Sequence, residues 1–509
     1  MYASLTPAFT TKTAVSEHTD WADWKANWDK IKTNYEQVAL IPGSDFSKLN
    51  FGWYSKEKAN EAVVRIADNK DMKNAKEFKG TCTEGTVING VQYYSNKVTA
   101  DGFEPNTTYY YQVKLNGKWQ QAHEYKTGDP HNFSFMYVGD PQIGASKGQV
   151  PNESAVEQSE DVAARNDAYN WNKTLNSALA QHPEINFLVS PGDQINEPAG
   201  NNAEKHLLQE YEYSGYLSAT AFRNLPQAVA IGNHDCLTTS YQNHFNVPNP
   251  FTAETNSTVA GHGYYYTYGS ALFIVINANN YNAADHKALI EKAIKENPNA
   301  KWKVVMFHQD IYGSGYDHSD SDGMVLRTQL TPLMDKYDID VVLQGHDHTY
   351  SRTYQLQSDG QAHDKFAKTE NTANYAKENN CYEIVDTTKG GTVVNPKGTV
   401  YLEANSATGS KFYNLITAKQ DFISERSQTW TPSYSVVNVT DDSFEVTTYD
   451  ADTGKVLDGS SSYKIVKKAE DTKKDDANSN TTKKDDITDL VSLKLKPAIY
   501  ARCIKSKSP

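Results

Sequence analysis

The chain has 509 residues, and its 50 Lys and Arg against 63 Asp and Glu give a net charge of −13. That length calls for two or three domains rather than one small core, and the acidic balance excludes a protein that coats nucleic acid or anionic membrane through its overall field. With 38% hydrophobic residues and a mean hydropathy of −0.70, the chain can still bury a core, which excludes disorder throughout.

Residues 1–20 carry neither a basic nor an apolar signal region, and no run reaches the roughly 18 apolar residues that cross a bilayer. In residues 21–36, Trp21, Trp24, Trp28 and Ile31 fall at helical spacing and predict an amphipathic helix that packs on the domain C-terminal to it. Residues 1–40 are therefore a helical lead-in. From 41 to 128 the pattern changes to short β-type runs, at 49–54, 62–66, 109–113 and 124–127, punctuated by the turn pairs Asn89-Gly90 and Asn116-Gly117. This reads as a small β-sandwich. Its stretch Gly102-Phe-Glu-Pro-Asn-Thr-Thr-Tyr-Tyr-Tyr-Gln-Val113 resembles the late strands of fibronectin type III domains.

Over 129–466 apolar strands alternate with helical segments, the signature of an α/β domain. Strands are predicted at 133–138, 185–189, 227–231, 271–276, 303–307 and 339–343, with helices around Trp171, Leu175 and Leu179 and over 283–296. A β-rich piece at 398–466 completes the domain. Residues 467–509 then form a charged tail in which Thr472-Lys-Lys-Asp-Asp476 recurs as Thr482-Lys-Lys-Asp-Asp486. Such a tract cannot bury enough apolar surface to offset its ordering entropy, and 489–509 carries no assignable role.

Five of the six α/β strands end in metal-type ligands: Gly139-Asp140, Gly192-Asp193, Gly232-Asn233-His234-Asp235, His308, and Gly345-His346-Asp347-His348. Only the strand at 271–276 ends without one. Groups at the carboxyl ends of strands in an open α/β sheet gather in one place, so these loops should form a single site. A glycine before the ligand lets the chain leave its strand sharply and brings backbone close to an ion or phosphate. Singly, each motif is weak, because Gly-Asp is a common turn pair and a lone His is usually structural. The five together are not.

Mixed carboxylate, amide and imidazole donors suit Zn, Fe or Mn. There are more ligands than one ion requires, and Asp193 is suited to bridge two ions about 3.5–4 Å apart. A bridging hydroxide is then the natural nucleophile, and two cations neutralise a phosphoryl group during in-line displacement. The four cysteines, Cys82, Cys236, Cys381 and Cys503, lie far apart without metal spacing and make no disulfide framework. Cys236, next to the Asn-His-Asp run, reads as a buried structural thiol.

These motifs resemble the calcineurin-like metallophosphoesterase superfamily, in its purple acid phosphatase-like branch with an N-terminal fibronectin type III-like domain. Leu49-Asn-Phe-Gly-Trp-Tyr54 and Gly345-His-Asp-His-Thr-Tyr-Ser-Arg352 carry the likeness to the branch, which covers about residues 40–466. The resemblance implies an α/β sandwich of two β-sheets flanked by helices, behind an all-β sandwich. It implies that Asp140, Asp193 and His348 hold one ion and that Asp193, Asn233, His308 and His346 hold the other. His234 would contact the phosphate, with Asp235 as its orienting partner. His318 stands where the branch carries a histidine that protonates the leaving alcohol; an exposed loop histidine is the competing reading.

Two departures bear on the metals. Asn196 occupies the position three residues after Asp193 where purple acid phosphatases place the tyrosinate that colours them, so a colourless protein is expected. Gln142 stands two residues after Asp140, where other superfamily members have His or, in the purple branch, Gly. Either amide could complete a metal shell or hydrogen-bond the ligands, and the second reading is favoured. Arg352 is a candidate phosphate contact, weighed against a surface ion pair. The tyrosines at 211, 213, 216 and 264–266 read mainly as packing residues.

The expected function is a phosphatase that hydrolyses phosphomonoesters through a metal-bridging hydroxide, using two divalent or mixed-valence ions. Its partner is a small phosphoester. Phosphodiester or nucleotide hydrolysis at the same centre is the near alternative, and a cell-surface binding protein with a degenerate catalytic domain is the distant one. An extracellular or cell-surface location is expected from the fibronectin-like module and the branch's habitat. Nothing in the sequence sets the oligomeric state.

Overall fold

A computed structural model describes residues 20–148, 159–316, 318, 323–360 and 381–468. The expectations for residues 1–19 and for nearly all of the charged tail lie outside them, as does Cys503. Among the described residues no helix is long and apolar enough to cross a membrane, and Cys82, Cys236 and Cys381 form no disulfide.

The tryptophan-spaced segment is a helix, Trp21–Lys32, which buries Trp21 and Trp28. Behind it lies an all-β region whose strands run in the order Ala39–Pro42, Lys48–Ser55, Val91–Asp101, Lys76–Ile88, Ala62–Ala67, Thr108–Leu115 and Lys118–Trp119, with His123–Lys126 also on Thr108–Leu115. The hairpin between Lys76–Ile88 and Val91–Asp101 went unpredicted, although its turn was legible. Asn89 and Gly90 both have positive φ, 48° and 77°, as a two-residue hairpin turn requires. The long strand Lys76–Ile88 pairs with Ala62–Ala67 through its first half and with Val91–Asp101 through its second. It thereby carries the sheet around a core of Leu49, Phe51, Trp53, Val64, Val98, Tyr111 and Tyr125.

The α/β region is built on two seven-stranded sheets rather than one open sheet. The first runs Gln227–Val229, Ile185–Ser190, Asn132–Tyr137, Ser433–Thr440, Ser443–Asp450, Tyr463–Val466, Gly391–Val394. The second runs Tyr264–Tyr268, Ala271–Val275, Trp302–Met306, Val341–Gln344, Val400–Glu403, Tyr350–Thr353, Ile423–Ser427. Side-chain alternation along the strands decides which face meets what. Phe133, Phe135 and Tyr137 point between the sheets with Phe187, Phe273, Met306 and Leu343, whereas Met136 and Val138 face outward onto Trp171 and Leu175 of the helix Glu160–Gln181. That helix is capped by the Ser159 hydroxyl, which accepts from Val162 N. On the outer face of the second sheet the helix Ala283–Glu296 buries Leu289, Ile290 and Ala293.

Three predicted strands thus fall in each sheet, and Tyr137 ties the two together beside the ligand loops. Its hydroxyl donates to the Leu402 carbonyl at 3.1 Å and accepts from Gln344 N at 3.0 Å. The β-rich N-terminal region is fastened to the same body by Ser95, whose hydroxyl donates to Asn243 O at 2.8 Å, and by Asn50, whose amide donates to Asn246 O at 2.8 Å.

Candidate metal centre

The loops leaving Asn132–Tyr137, Ile185–Ser190 and Gln227–Val229 in one sheet meet those leaving Trp302–Met306 and Val341–Gln344 in the other. Four of the ligand candidates sit in left-handed backbone, Asp140 at φ 22°, Asp193 at 48°, His346 at 81° and His348 at 40°. For residues other than glycine this is uncommon, and it concentrates at functional sites. The glycines before them are there for close approach. A side chain on Gly232 would meet the Asp193 carboxylate, and one on Gly345 would meet that of Asp140.

One group of ligands gathers around Asp193. His308 Nε2 lies 3.3 Å from Asp193 Oδ2, 2.9 Å from Asn233 Oδ1 and 3.0 Å from His346 Nδ1. All four residues have buried or half-buried side chains. A single imidazole N–H cannot satisfy a carboxylate, an amide oxygen and a second imidazole at once, whereas a cation among them would engage every lone pair. Ligand atoms of Asp193, His308 and His346 lie within 4.8 Å of one another. Burial pushes the His308 imidazolium toward lower pKa, but the charges of Asp193 and Asp140 outweigh it and hold it up to about 9. Burial likewise raises the Asp193 carboxyl, and the imidazoles of His308 and His234 more than reverse this. The field at this point is one that favours a positive charge.

A second group forms around Asp140. Its Oδ2 faces His348 Nε2 at 3.2 Å, and its Oδ1 accepts from His346 N at 2.9 Å. His348 Nδ1 is 2.9 Å from the Lys411 carbonyl. Since a carbonyl can only accept, Nδ1 carries the proton and Nε2 keeps its lone pair. The two loops are tied together next to these groups, the Asp193 backbone carbonyl accepting from Gln142 N at 2.9 Å. The fit to metal extends to Gln142, whose Oε1 is buried with no hydrogen-bond partner while its Nε2 stands 3.4 Å from Asn196 Oδ1.

His234 faces the Asp193 group. Its backbone N donates to Asp193 Oδ1 at 2.9 Å and its Nε2 is 3.9 Å from Asp193 Oδ2, while Nδ1 is fixed on the Asn196 carbonyl. Asp235 is not its orienting partner. The Asp235 carboxylate is fully buried and accepts instead from the Tyr213 hydroxyl at 2.8 Å and Gly232 N at 3.0 Å, which makes it a brace beneath the loop. Burial, followed by the charge of Asp193, pushes it up to about 7. His318 does reach the site, its ring centre 3.8 Å from that of His346.

Arg352 does not. It lies in the strand Tyr350–Thr353 with its guanidinium 3.0 Å from Glu425 and 4.3 Å from the centre of the Tyr463 ring. It is a buried ion-pair and ring-stacking residue, so neither the phosphate contact nor the surface pair describes it. Cys236 is a buried thiol that donates to Asn233 O at 3.2 Å. Tyr216 packs on Trp171, and the hydroxyl of Tyr264 donates to Val229 O at 2.8 Å. Asn279, after the strand without a ligand, clamps the neighbouring loop by donating to Ile231 O at 2.9 Å.

A further acidic group, Asp310, Asp347 and Glu403, is buried behind the centre. Glu403 already receives the hydroxyls of Thr349 at 2.9 Å and Ser351 at 2.6 Å and the backbone N of Ser314 at 3.0 Å. Burial and then Asp347 raise its pKa well above the usual carboxylate value, and with three donors already on its oxygens Glu403 serves as a scaffold for these loops.

Residues missed in the sequence are Lys411 and Tyr413, on the loop after Val400–Glu403. That strand lies parallel beside Val341–Gln344, so its carboxyl end opens onto the same site. The strand-end rule that found the other loops applies to it equally.

Comparison with known proteins gives the same picture. Residues 35–127 match the purple acid phosphatase N-terminal domain, and residues 127–350 match the calcineurin-like phosphoesterase family. A purple acid phosphatase of Glycine max is 22% identical over 337 residues, 62% of this chain and 65% of that protein. Two uncharacterised proteins of Mycobacterium tuberculosis are 24% identical over 142 residues, 25% of this chain and 26% of theirs. The chain thus spans less than two thirds of these relatives. Among solved structures, a purple acid phosphatase from yellow lupin (Lupinus luteus) seeds aligns with TM-score 0.58 at 14% identity, covering 84% of this chain and 74% of that one. PhoD aligns with TM-score 0.52 at 13% identity, covering 85% and 95%. At such identities the structures speak to the fold, which they share with this chain. Residues 127–350 thus carry the calcineurin-like phosphoesterase match, and residues 35–127 ahead of them match the purple acid phosphatase N-terminal domain.

Proposed function

We propose that the protein is a binuclear metal-dependent phosphatase that hydrolyses small phosphomonoesters. The observation that carries this reading is the convergence of Asp193, Asn233, His308 and His346 on one point beside Asp140 and His348. His348, with Asp140, would hold one ion; Asn233, His308 and His346 would hold the other, with Asp193 between. When bound, such ions supply an activated water and positive charge for the phosphoryl oxygens.

The chain's own residues supply the rest. Burial lowers the pKa of His234, and with Nδ1 fixed on the Asn196 carbonyl the imidazole turns Nε2 toward the centre. In the neutral ring Nε2 then keeps its lone pair, and it would meet a phosphoryl oxygen or the leaving group as a donor only as the imidazolium, a form that a bound phosphate dianion would favour. His318 is the second proton donor within reach. The buried carboxylate of Asp235 holds the Gly232 turn in place, which fixes Asn233 and His234. With Asn196 in place of a tyrosinate, two redox-inert divalent ions are favoured and the protein is colourless.

The test is a substrate screen paired with elemental analysis on one preparation. Turnover of p-nitrophenyl phosphate above its bis-ester, by protein containing two ions per chain, supports the reading. Preference for the bis-ester assigns the protein to the diesterases. Absence of both activity and metal removes the enzyme reading altogether.

A further inference from the structure

The loop after Val400–Glu403 is stitched to the Asp140 turn. Ala407 N donates to Gly139 O at 2.9 Å and the Thr408 hydroxyl donates to Pro141 O at 2.8 Å. Three residues on, the Lys411 carbonyl holds His348 Nδ1 at 2.9 Å. The Lys411 ammonium lies 4.8 Å from the centre of the Tyr413 ring, and that ring stands 5.2 Å edge-on from His348 and 5.7 Å from His318. The loop thus delivers a cation to the rim of the centre on a fixed backbone.

The half-buried Lys411 side chain lies close enough to the centre for its positive charge to act on the His234 imidazole. Among the described residues, no carboxylate forms an ion pair with it. A half-buried lysine at the rim of the centre is badly placed for structure alone once cations fill it, because its own charge then faces theirs. A phosphate bearing two negative charges would relieve that repulsion.

We propose that Lys411 is a substrate-binding residue that contacts the phosphoryl group and gives the centre its preference for dianionic monoesters over monoanionic diesters. This rests on the phosphoesterase reading of the metal centre. Near neutral pH a monoester carries close to two charges, its second pKa being about 6. A diester carries one, and its second ester group replaces the oxygen that an ammonium would bind. Lysine suits this role as a compact point charge with three donors.

The experiment compares the metal-loaded full chain with Lys411→Met and Lys411→Arg. Both substitutions keep the backbone carbonyl that holds His348. For Lys411→Met, kcat/KM on p-nitrophenyl phosphate should fall about 10- to 100-fold, as for loss of one charge-assisted hydrogen bond, with the inhibition constant of inorganic phosphate rising similarly. On the bis-ester the fall should stay within about 3-fold, metal content should not change, and Lys411→Arg should retain most of the preference. Equal losses on both esters, an unaltered phosphate constant, or loss of metal from Lys411→Met would each overturn the proposal. If the wild type turned over neither ester, the phosphoesterase reading itself would fail. Calorimetric binding of inorganic phosphate to metal-loaded wild type and Lys411→Met would still decide the lysine, with equal affinities refuting it.

Discussion

The imidazole of His348 is held at both ends, its Nδ1 donating to the Lys411 carbonyl at 2.9 Å and its Nε2 facing Asp140 Oδ2 at 3.2 Å. The backbone bond sets the tautomer, so the lone pair points at the carboxylate, where a cation would join them. His348→Ala should therefore lower bound metal from two ions to about one per chain and leave the Asn233, His308 and His346 group occupied. Elemental analysis after gel filtration checks this; a full complement of two ions in the variant contradicts it.

Neither Gly232 nor Gly345 has room for a methyl group. A side chain on Gly232 would press on the Asp193 carboxylate and one on Gly345 on that of Asp140. Gly232→Ala and Gly345→Ala are expected to fold, since both positions lie in loops at the edge of the core. Each should cost activity by about 100-fold or more, by displacing a ligand. Circular dichroism with metal titration separates this from unfolding, and near-normal metal affinity in either variant counts against the account.

His318 lies with its ring centre 3.8 Å from that of His346, in reach of a leaving group. A proton donor matters most when the leaving alcohol is poor. His318→Ala should slow hydrolysis of an alkyl phosphate by about 100-fold or more, and that of p-nitrophenyl phosphate far less. Equal effects on both substrates would show that His318 does not protonate the leaving group.

Much of the site was legible because each ligand follows a strand with β-type apolar residues and, in four of five loops, a glycine. Asp140, Asp193, Asn233, His308, His346 and His348 all meet in space, as those patterns require. What a motif cannot show is which way a neighbouring side chain points. Arg352 follows Gly345-His-Asp-His closely, yet strand alternation turns it to Glu425 and Tyr463. Asp235 is adjacent to His234 and turns to Tyr213. Lys411 was hidden for a different reason: its strand ends in Glu403-Ala404-Asn405-Ser406, without the glycine-then-ligand pairing or a histidine to draw the eye. The hairpin Lys76–Ile88 and Val91–Asp101 was obscured because its first strand is mostly exposed and rich in Lys, Glu and Thr. The pairing of two sheets came from the resemblance, since hydrophobic period alone does not say which strands share a sheet.

Asp167 braces the Asp140 turn from below, its Oδ2 accepting from Gly144 N at 2.9 Å and Ser146 N at 3.1 Å. Burial pushes its carboxyl from 3.8 up to about 7, against those donors. Between these values the folded chain keeps a proton that the unfolded chain has lost, so this residue makes stability fall as pH rises from about 4 to about 7. Asp167→Asn removes that ionisation and keeps an acceptor oxygen. The Tm of the variant minus that of the wild type should grow over this interval, and a constant difference would show that Asp167 ionises normally in the fold.

In the proposed function Asp193 joins the His308–His346 group to the Asp140 group as one hydrolytic centre. Elemental analysis and p-nitrophenyl phosphate turnover, measured on the same preparations of wild type and Asp193→Ala, test it most directly. Two ions per chain and turnover are expected for the wild type, with both metal and activity lost in the variant, the latter by about 1,000-fold or more. A metal-free wild type, or an Asp193→Ala protein with unchanged activity, would contradict it.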